Sequence, residues 1–213
     1  MKVCFFKIFY ISLQKMNKII NNMILGTHNS WTYLKPRKWW MYLLRFTARC
    51  QDKDIYEQYT KYGVRSFDLR VRFDGDDFVI SHGIIKYKIT KEEILKQLDW
   101  LNEKGDVWVR YVHELRDEKT YTEERIAKFK EFGSYLEEKY PNIKFWCGRN
   151  LFNWEIDYKC KYNPSCEEFC SSVREPKLID DWYPRLYALL NNSKTKKKGT
   201  DKDIMAIDFV NIG

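Results

Sequence analysis

Four residues that could carry acid–base chemistry stand where short apolar runs of the chain end. They are His28 in the stretch GTHNS, Asp68 and Arg70 in VRSFDLRV, and His82 in ISHG. Two imidazoles can accept and donate a proton near neutral pH, and a guanidinium presents a planar set of donors to phosphate oxygens. Each signal is weak when taken alone. Together they suit acid–base chemistry on a phosphodiester.

Strands must bring these residues into one pocket. A barrel enzyme carries its chemistry at the carboxyl ends of its strands, and the polar loop after residue 25 has that form. Asp68 and Arg70 are two residues apart, so a strand directs both side chains to one face. The turn DGDD at residues 74–77 makes this strand a close neighbour of the one that ends at His82.

The rest of the chain alternates strand and helix patterns. Thr90 and Glu93 predict a capping box at the start of the clearest helix, in which Ile94, Leu98 and Leu101 form the buried stripe. This alternation predicts a parallel α/β fold, and a closed barrel fits it better than an open sheet. A nucleotide-binding sheet is disfavoured, since no Gly-rich phosphate loop is present. The predicted strands are 19–25, 64–72, 78–81, 106–114, 143–147 and 204–210, and the predicted helices are 51–62, 90–104, 122–138 and 182–191.

Length and charge indicate one domain with anionic partners. The 213 residues suit a single domain over 19–213, preceded by an extension at 1–18. The net charge of +8 favours lipid headgroups, nucleic acid or phosphorylated substrates. No recognition motif accompanies that charge, so we expect no nucleic-acid partner and a monomeric protein. The lysine tract at 194–198 is interpreted as a solvated loop.

Aromatic residues make up 17% of the chain, and several lie in the stretch KPRKWWMYLLRF at 35–46. Pro36 suits a first helical turn. The mixture of cations and large rings fits an interfacial helix on a membrane and equally a core helix with a basic edge. No segment approaches the roughly 18 apolar residues that span a bilayer, and residues 1–13 lack a signal-peptide cleavage motif. We therefore expect a soluble or peripheral membrane protein.

The six cysteines do not predict a zinc site. The last three form C-x5-C-x3-C, which lacks the C-x2-C pairing, and no histidine lies near them. Free thiols in a reducing compartment are expected, and a disulfide within 147–170 is the alternative. The cysteines are Cys4, Cys50, Cys147, Cys160, Cys166 and Cys170.

Three stretches carry a resemblance to a known family. GTHNS at 26–30, KDIYEQYTKYGVRSFDLR at 53–70 and ISHG at 80–83 resemble the catalytic domain of the phosphatidylinositol-specific phospholipases C in order and spacing. The likeness covers about residues 20–115 and includes the closing IDFV. It implies a TIM-type (β/α) barrel, distorted or trimmed because the chain is short for that fold.

The resemblance also implies roles. His28 would be the general base on the inositol 2-hydroxyl, whose oxygen attacks phosphorus and gives a cyclic inositol phosphate. His82 would be the general acid that protonates the departing diacylglycerol oxygen. A carboxylate orients the base in this family, and Asp208 is the candidate. Arg110 stands where members direct a polar residue at the substrate.

The same resemblance bears on metal use. Calcium-dependent relatives have acid-x-acid on the second strand, and metal-independent relatives have acid-x-Arg, as in Asp68-Leu69-Arg70. Arg70 would therefore stand where the metal sits, and we expect no cofactor. Asn29 departs from this type because it follows the base histidine as in the calcium enzymes. Asn29 would then be a substrate-binding residue, or with Asp68 a ligand of a weakly held ion.

Two other functions stay open at this stage. The first is a catalytically idle barrel that binds membranes or anions. The second is a magnesium-dependent glycerophosphodiester or sphingomyelin phosphodiesterase, which needs several carboxylates and is disfavoured by Arg70. Glu114 and His113 are weaker site candidates, and His113 is interpreted as structural.

Overall fold

The computed structural model describes residues 23–74, 77–114, 122–147, 160–171 and 182–213. The predicted extension at 1–18, the first residues of the first predicted strand and most of 148–177 lie outside these ranges. Eight strands occur in the described residues. They are β1 Ile24–Thr27, β2 Ser66–Asp74, β3 Asp77–His82, β4 Ile85–Lys86, β5 Val107–His113, β6 Ile143–Trp146, β7 Cys166–Phe169 and β8 Ile204–Ile207.

Six of these strands form a parallel sheet in the order β6-β5-β2-β1-β8-β7. The remaining two, β3 and β4, continue from β2 as antiparallel neighbours. The sheet curls into a half-barrel, and this curl brings Arg110 of β5 into an ion pair with Glu168 of β7 across three intervening strands. The mixed α/β class is thus confirmed, and the curl is consistent with the distorted or trimmed barrel.

The register of the sheet brings the polar strand ends to one level. Thr27 of β1 lies beside Phe67 of β2 and beside Ile207 of β8. The residues that follow these three are His28, Asp68 and Asp208, so they come to the same height. Asp68 in turn lies beside Arg110 of β5, and Phe169 of β7 lies beside Ile207. The carboxyl ends of four neighbouring strands therefore bring His28, Asp68, Arg110 and Asp208 together, and β7 lies next to them.

Gly26 permits the close approach of the three central strands. A Cβ atom at this position would lie 3.1 Å from both Ile204 Cγ2 and Ser66 Cβ. The absence of a side chain at residue 26 therefore lets β1 pack tightly between β2 and β8.

Four α-helices cover the described sheet. Sequence signals mark the end of the first and the start of the second, whereas the last continues to Lys198, beyond its predicted end at residue 191. Thr90 and Glu93 form the predicted capping box, and the stripe Ile94, Leu98 and Leu101 is buried. Gly63, in a left-handed conformation, ends the first helix as predicted. The helices are α1 Ile55–Tyr62, α2 Lys91–Lys104, α3 Glu123–Lys139 and α4 Pro184–Lys198. None of the helices that the structure describes is both long and apolar enough to cross a bilayer.

The segment at 35–46 is not the α-helix that was predicted. Pro36 forms an isolated bridge with Tyr87, and a 3₁₀ helix runs over Trp39–Thr47. Met41 is buried, whereas Trp39 is 79% exposed and Leu43 is 69% exposed. Most of this segment's large apolar side chains therefore face outward, which does not fit the core-helix alternative.

The lysine tract is not a loop. Lys194–Lys198 forms the last turns of α4, where the positive charges lie at the carboxyl end of the helix dipole. Lys196 donates hydrogen bonds to the carbonyl oxygens of Val210, Ile212 and Gly213. The tract therefore holds the end of the described chain against α4.

The expectation of free thiols is wrong for one pair. Cys147 and Cys160 form a disulfide, which agrees with the alternative considered from the sequence. Cys50, Cys166 and Cys170 are free. The strand β7, which contains Cys166, was not predicted because its residues Cys-Glu-Glu-Phe show no apolar alternation.

Candidate active site

His28 lies in the loop directly after β1 and is almost fully buried. Its backbone N–H donates to Ile207 O at 3.0 Å, which fixes the loop against β8. Its ring Nδ1 lies 2.8 Å from Asp208 Oδ1. The sequence-predicted base and its predicted orienting carboxylate are therefore in contact.

The next residue controls the other nitrogen of this ring. Asn29 has a φ of 49°, a left-handed conformation that asparagine tolerates better than most residues. This turn places Asn29 Nδ2 3.0 Å from His28 Nε2. In the neutral ring, Nε2 therefore accepts from Asn29 and Nδ1 donates to Asp208. A substrate hydroxyl that displaced the amide would meet the lone pair of Nε2.

Two buried glutamines hold this loop. Gln51 Nε2 donates to the carbonyl oxygens of His28 and Ile207, and Gln51 Oε1 accepts from Val210 N. It thereby ties the loop after β1 to the segment after β8. Gln58 Nε2 donates to Ser30 O from helix α1. The sequence did not single out either glutamine, because a helical pattern does not distinguish a buried glutamine from an exposed one.

Arg70 is held between two carboxylates. Its Nε donates to Asp68 Oδ2 at 2.9 Å, and its Nη1 donates to Glu114 Oε2 at 3.2 Å. Asp68 Oδ2 also accepts from Asn29 N at 3.0 Å, and Glu114 Oε1 accepts from Gly83 N at 2.8 Å. The guanidinium is thus connected through one acid to the residue after His28 and through the other to the residue after His82.

His82 reaches the same pocket because β3 runs back along β2. Its ring centroid lies 5.8 Å from that of His28, with the two planes at 86°. His82 Nδ1 donates to Ala48 O at 2.8 Å, so its Nε2 is the nitrogen available for proton transfer. The two imidazoles and Arg70 therefore share one site.

The two histidines differ in proton affinity in the ligand-free protein. Burial lowers the pKa of His28, but the neighbouring Cys170 and Asp208 raise it by a larger amount, so the pKa lies well above its usual value. Burial holds the pKa of His82 below its usual value despite the nearby Glu114. The raised pKa favours the protonated form of His28, whereas a general base must be neutral.

Neighbouring arginines lower the pKa values of Asp68 and Glu168. Burial raises the pKa of Asp68, but Arg70 and then Arg110 lower it by more, so the net shift is strongly downward. Burial likewise opposes ionisation of Glu168, while Arg110 lowers its pKa overall. Alternating charges therefore stabilise one another in a buried setting.

Of the remaining residues predicted from the sequence, Arg110 and Glu114 lie at the site and His113 does not. Arg110 lies at the site and pairs with Glu168. Glu114 contacts both Arg70 and Gly83 and is more central than its weak sequence signal indicated. His113 is buried against Phe129 of α3, with ring centroids 5.0 Å apart, on the opposite side of β5. The interpretation of His113 as a structural residue agrees with this packing.

Three residues at the site were missed as site residues. Cys50 lies beside both histidines, and Cys170 and Glu168 approach His28 from the end of β7. Glu168 and Cys170 stand in the part of the sequence where no element could be assigned. Cys50 follows the 3₁₀ segment, and nothing near it in the sequence indicates that it reaches two histidines.

The surroundings of Asp68 do not favour a calcium ion. Asp68 Oδ2 is occupied by Asn29 N and Arg70 Nε, and the Asn29 side chain turns towards His28. Calcium requires six to eight oxygen ligands, and a guanidinium in contact with the central carboxylate repels it. Asn29 and Asp68 Oδ2 are thus engaged with protein partners, whereas Asp68 Oδ1 has no hydrogen-bond partner among the described residues.

Comparison with known proteins relates this chain to solved structures. None of the protein-family models matches the chain, and none of the curated sequences does. Among solved structures, phosphatidylinositol-specific phospholipase C from Listeria monocytogenes matches with a TM-score of 0.57 and 15% identity, over 90% of this chain and 89% of that one. The chain therefore has a phospholipase C-like fold.

Proposed function

We propose that this protein is a phosphodiesterase that cleaves phosphatidylinositol-type lipids by intramolecular phosphotransfer, giving a cyclic inositol phosphate and diacylglycerol. The observation that carries the proposal is the linkage of Arg70 to both histidine loops through Asp68 and Glu114. The shared fold supports the same activity. An idle binding barrel would have no need to hold two imidazoles and a guanidinium in one connected network.

The reaction uses each group according to its contacts. Nε2 of His28 takes the proton of the inositol 2-hydroxyl, while Asp208 holds Nδ1–H and stabilises the imidazolium. The oxygen then attacks phosphorus, and Arg70 stabilises the charge that develops on the phosphoryl oxygens. Nε2–H of His82 protonates the departing diacylglycerol oxygen. Arg110, held by Glu168, is the proposed contact to the inositol hydroxyls.

We propose that no metal ion takes part. The support is Arg70, which supplies the positive charge at Asp68 that a divalent ion would otherwise supply. The magnesium-dependent alternative is disfavoured for the same reason.

We propose further that the 3₁₀ segment Trp39–Thr47 binds the lipid surface. Trp39, Leu43 and Phe46 are exposed, and Phe46 stacks on Tyr183 near the start of α4. Lysine and arginine residues adjoin these rings at 35–38. Aromatic rings next to cations favour the interface of an anionic bilayer.

One assay tests the activity directly. Purified protein is incubated with phosphatidylinositol micelles, with and without EDTA, and cyclic inositol phosphate is measured. Turnover that EDTA leaves unchanged is expected. Absence of turnover together with binding to vesicles would identify the idle barrel, and turnover only with calcium would contradict the assignment of Arg70.

The surface is tested with the double variant W39S/L43S and anionic vesicles. We expect weaker sedimentation with the vesicles, while turnover of a short-chain monomeric substrate is unchanged. L189S/L190S on the exposed side of α4 is the matched control. Equal loss of binding in both variants would refute the assignment to the 3₁₀ segment.

A further inference from the structure

The thiol of Cys50 is a buried group that the proposed reaction does not use. It is fully buried, and its Sγ lies 3.7 Å from His82 Nδ1. It also belongs to a cluster with His28 and Asp208, in which one ligand atom from each residue lies within 4.8 Å of the others. Nitrogen, sulfur and carboxylate oxygen are the three donor types that zinc binds in proteins.

We propose that His28, Cys50 and Asp208 form a binding site for a thiophilic divalent cation such as Zn²⁺, with an open fourth position. This site lies within the active site but is separate from the place beside Asp68 where a hard metal would be expected.

The distances are close to those of a tetrahedral site. Zinc bonds of about 2.0 to 2.3 Å place neighbouring ligand atoms about 3.3 to 3.8 Å apart. His28 Nδ1 and Asp208 Oδ1 are already 2.8 Å apart because a proton lies between them. Exchange of that proton for a cation requires this pair to separate slightly and Cys50, which lies within 4.8 Å, to approach by at most about 1.3 Å.

The charge of the occupied site matters because the site is buried. Zinc takes a thiolate, a neutral imidazole nitrogen and a carboxylate as ligands, so its binding releases protons. The two anionic ligands balance the charge of the cation, and the occupied site therefore carries no net charge into the interior.

The donor types select the cation. Sulfur and imidazole favour zinc, cobalt and copper, whereas calcium and magnesium prefer shells of oxygen. A second cluster, formed by His28, Glu168 and Cys170, also lies within 4.8 Å. Its carboxylate is already paired with Arg110, whose positive charge repels a cation. The cluster with Cys50 is therefore the favoured site.

Binding has a consequence for catalysis that rests on the proposed function. A cation on Nδ1 removes the hydrogen bond to Asp208 that orients the base. Zn²⁺ is then a reversible inhibitor of the phosphodiesterase, and EDTA restores the activity.

The binding is tested with Co²⁺, which reports thiolate ligation through a sulfur-to-metal charge-transfer band. The full chain is titrated with Co²⁺ without added thiol, and we expect a saturable band at equimolar metal that Zn²⁺ abolishes. Cys50→Ser should remove the band. Cys166→Ser is the matched control and should retain it, since Cys166 belongs to neither cluster.

Three outcomes would overturn the proposal. They are the absence of a charge-transfer band in the unsubstituted protein, a band that survives in both Cys50→Ser and Cys170→Ser, and a band that survives in Cys50→Ser but is lost in Cys170→Ser. The last of these would place the cation at the second cluster. If Cys50→Ser does not fold by circular dichroism, Asp208→Asn replaces it and should weaken Co²⁺ binding by at least about tenfold. A protein that binds Co²⁺ but cleaves no lipid would contradict the proposed function and leave this site supported.

Discussion

Asp208 gives the sharpest test of the active-site geometry, because both of its oxygens are used. Oδ1 accepts from His28 Nδ1 at 2.8 Å, and Oδ2 accepts from Ser171 N at 3.1 Å. The substitution Asp208→Asn keeps the shape of the side chain but replaces one acceptor with a donor. Whichever way the amide turns, its NH₂ group faces either the Nδ1–H of His28 or the backbone N–H of Ser171, and two donors then meet.

The cost of each orientation can be estimated. If the amide nitrogen faces Ser171, a buried donor loses its partner, at about 1–3 kcal/mol. If the amide nitrogen faces His28, the proton of the ring must move from Nδ1 to Nε2, and Nε2 can then no longer act as a base. We expect turnover to fall by about 10²–10⁴-fold, equivalent to about 3–5 kcal/mol in the barrier. The loss of the carboxylate also lowers the pKa of His28.

The assay is production of cyclic inositol phosphate from phosphatidylinositol micelles at saturating substrate. Asp203→Asn is the matched control, because Asp203 lies at the opposite end of β8 and binds Ser165 near the surface. We expect this variant to keep its turnover. If Asp208→Asn kept wild-type turnover while folding normally, Asp208 would have no part in orienting the base and the role of His28 would need revision.

Three further outcomes are expected. Arg70→Lys should reduce turnover by about 10²–10³-fold, since a single ammonium cannot bridge Asp68 and Glu114. Arg65→Lys, just before β2, should leave turnover unchanged. Equal rates in both variants would refute the role of the guanidinium. The pH profile of kcat/KM should be a broad bell with limbs on either side of 6.5, the ordinary pKa of histidine. At pH values below the lowered pKa of His82 both rings are protonated, and at pH values above the raised pKa of His28 both are neutral, so the rate falls on either side. A narrow bell centred on 6.5 would contradict a higher pKa for His28 than for His82. Gly26→Ala should lower the free energy of unfolding by about 1–3 kcal/mol, measured by urea denaturation, because its Cβ would crowd β2 and β8; an unchanged midpoint would show that the strands can separate at no cost.

Local patterns in the chain are sufficient to predict the parts of the site that depend on period and sequence distance. The two-residue spacing of Asp68 and Arg70 directs both side chains to one face of any strand, whatever surrounds it. The short turn between β2 and β3 likewise brings His82 back towards Arg70. The capping box at Thr90 is also a local feature, and the helix that it predicts is present.

Contacts between distant parts of the chain were decided by the curl and register of the sheet. Asp208 is 180 residues from His28 in sequence and reaches it only because β8 lies beside β1. Glu168 meets Arg110 because the sheet bends far enough to bring β7 opposite β5. Cys50 meets both histidines because the chain after the 3₁₀ segment lies beside the loops that follow β1 and β3. No local period encodes these approaches, since they depend on how whole strands pack.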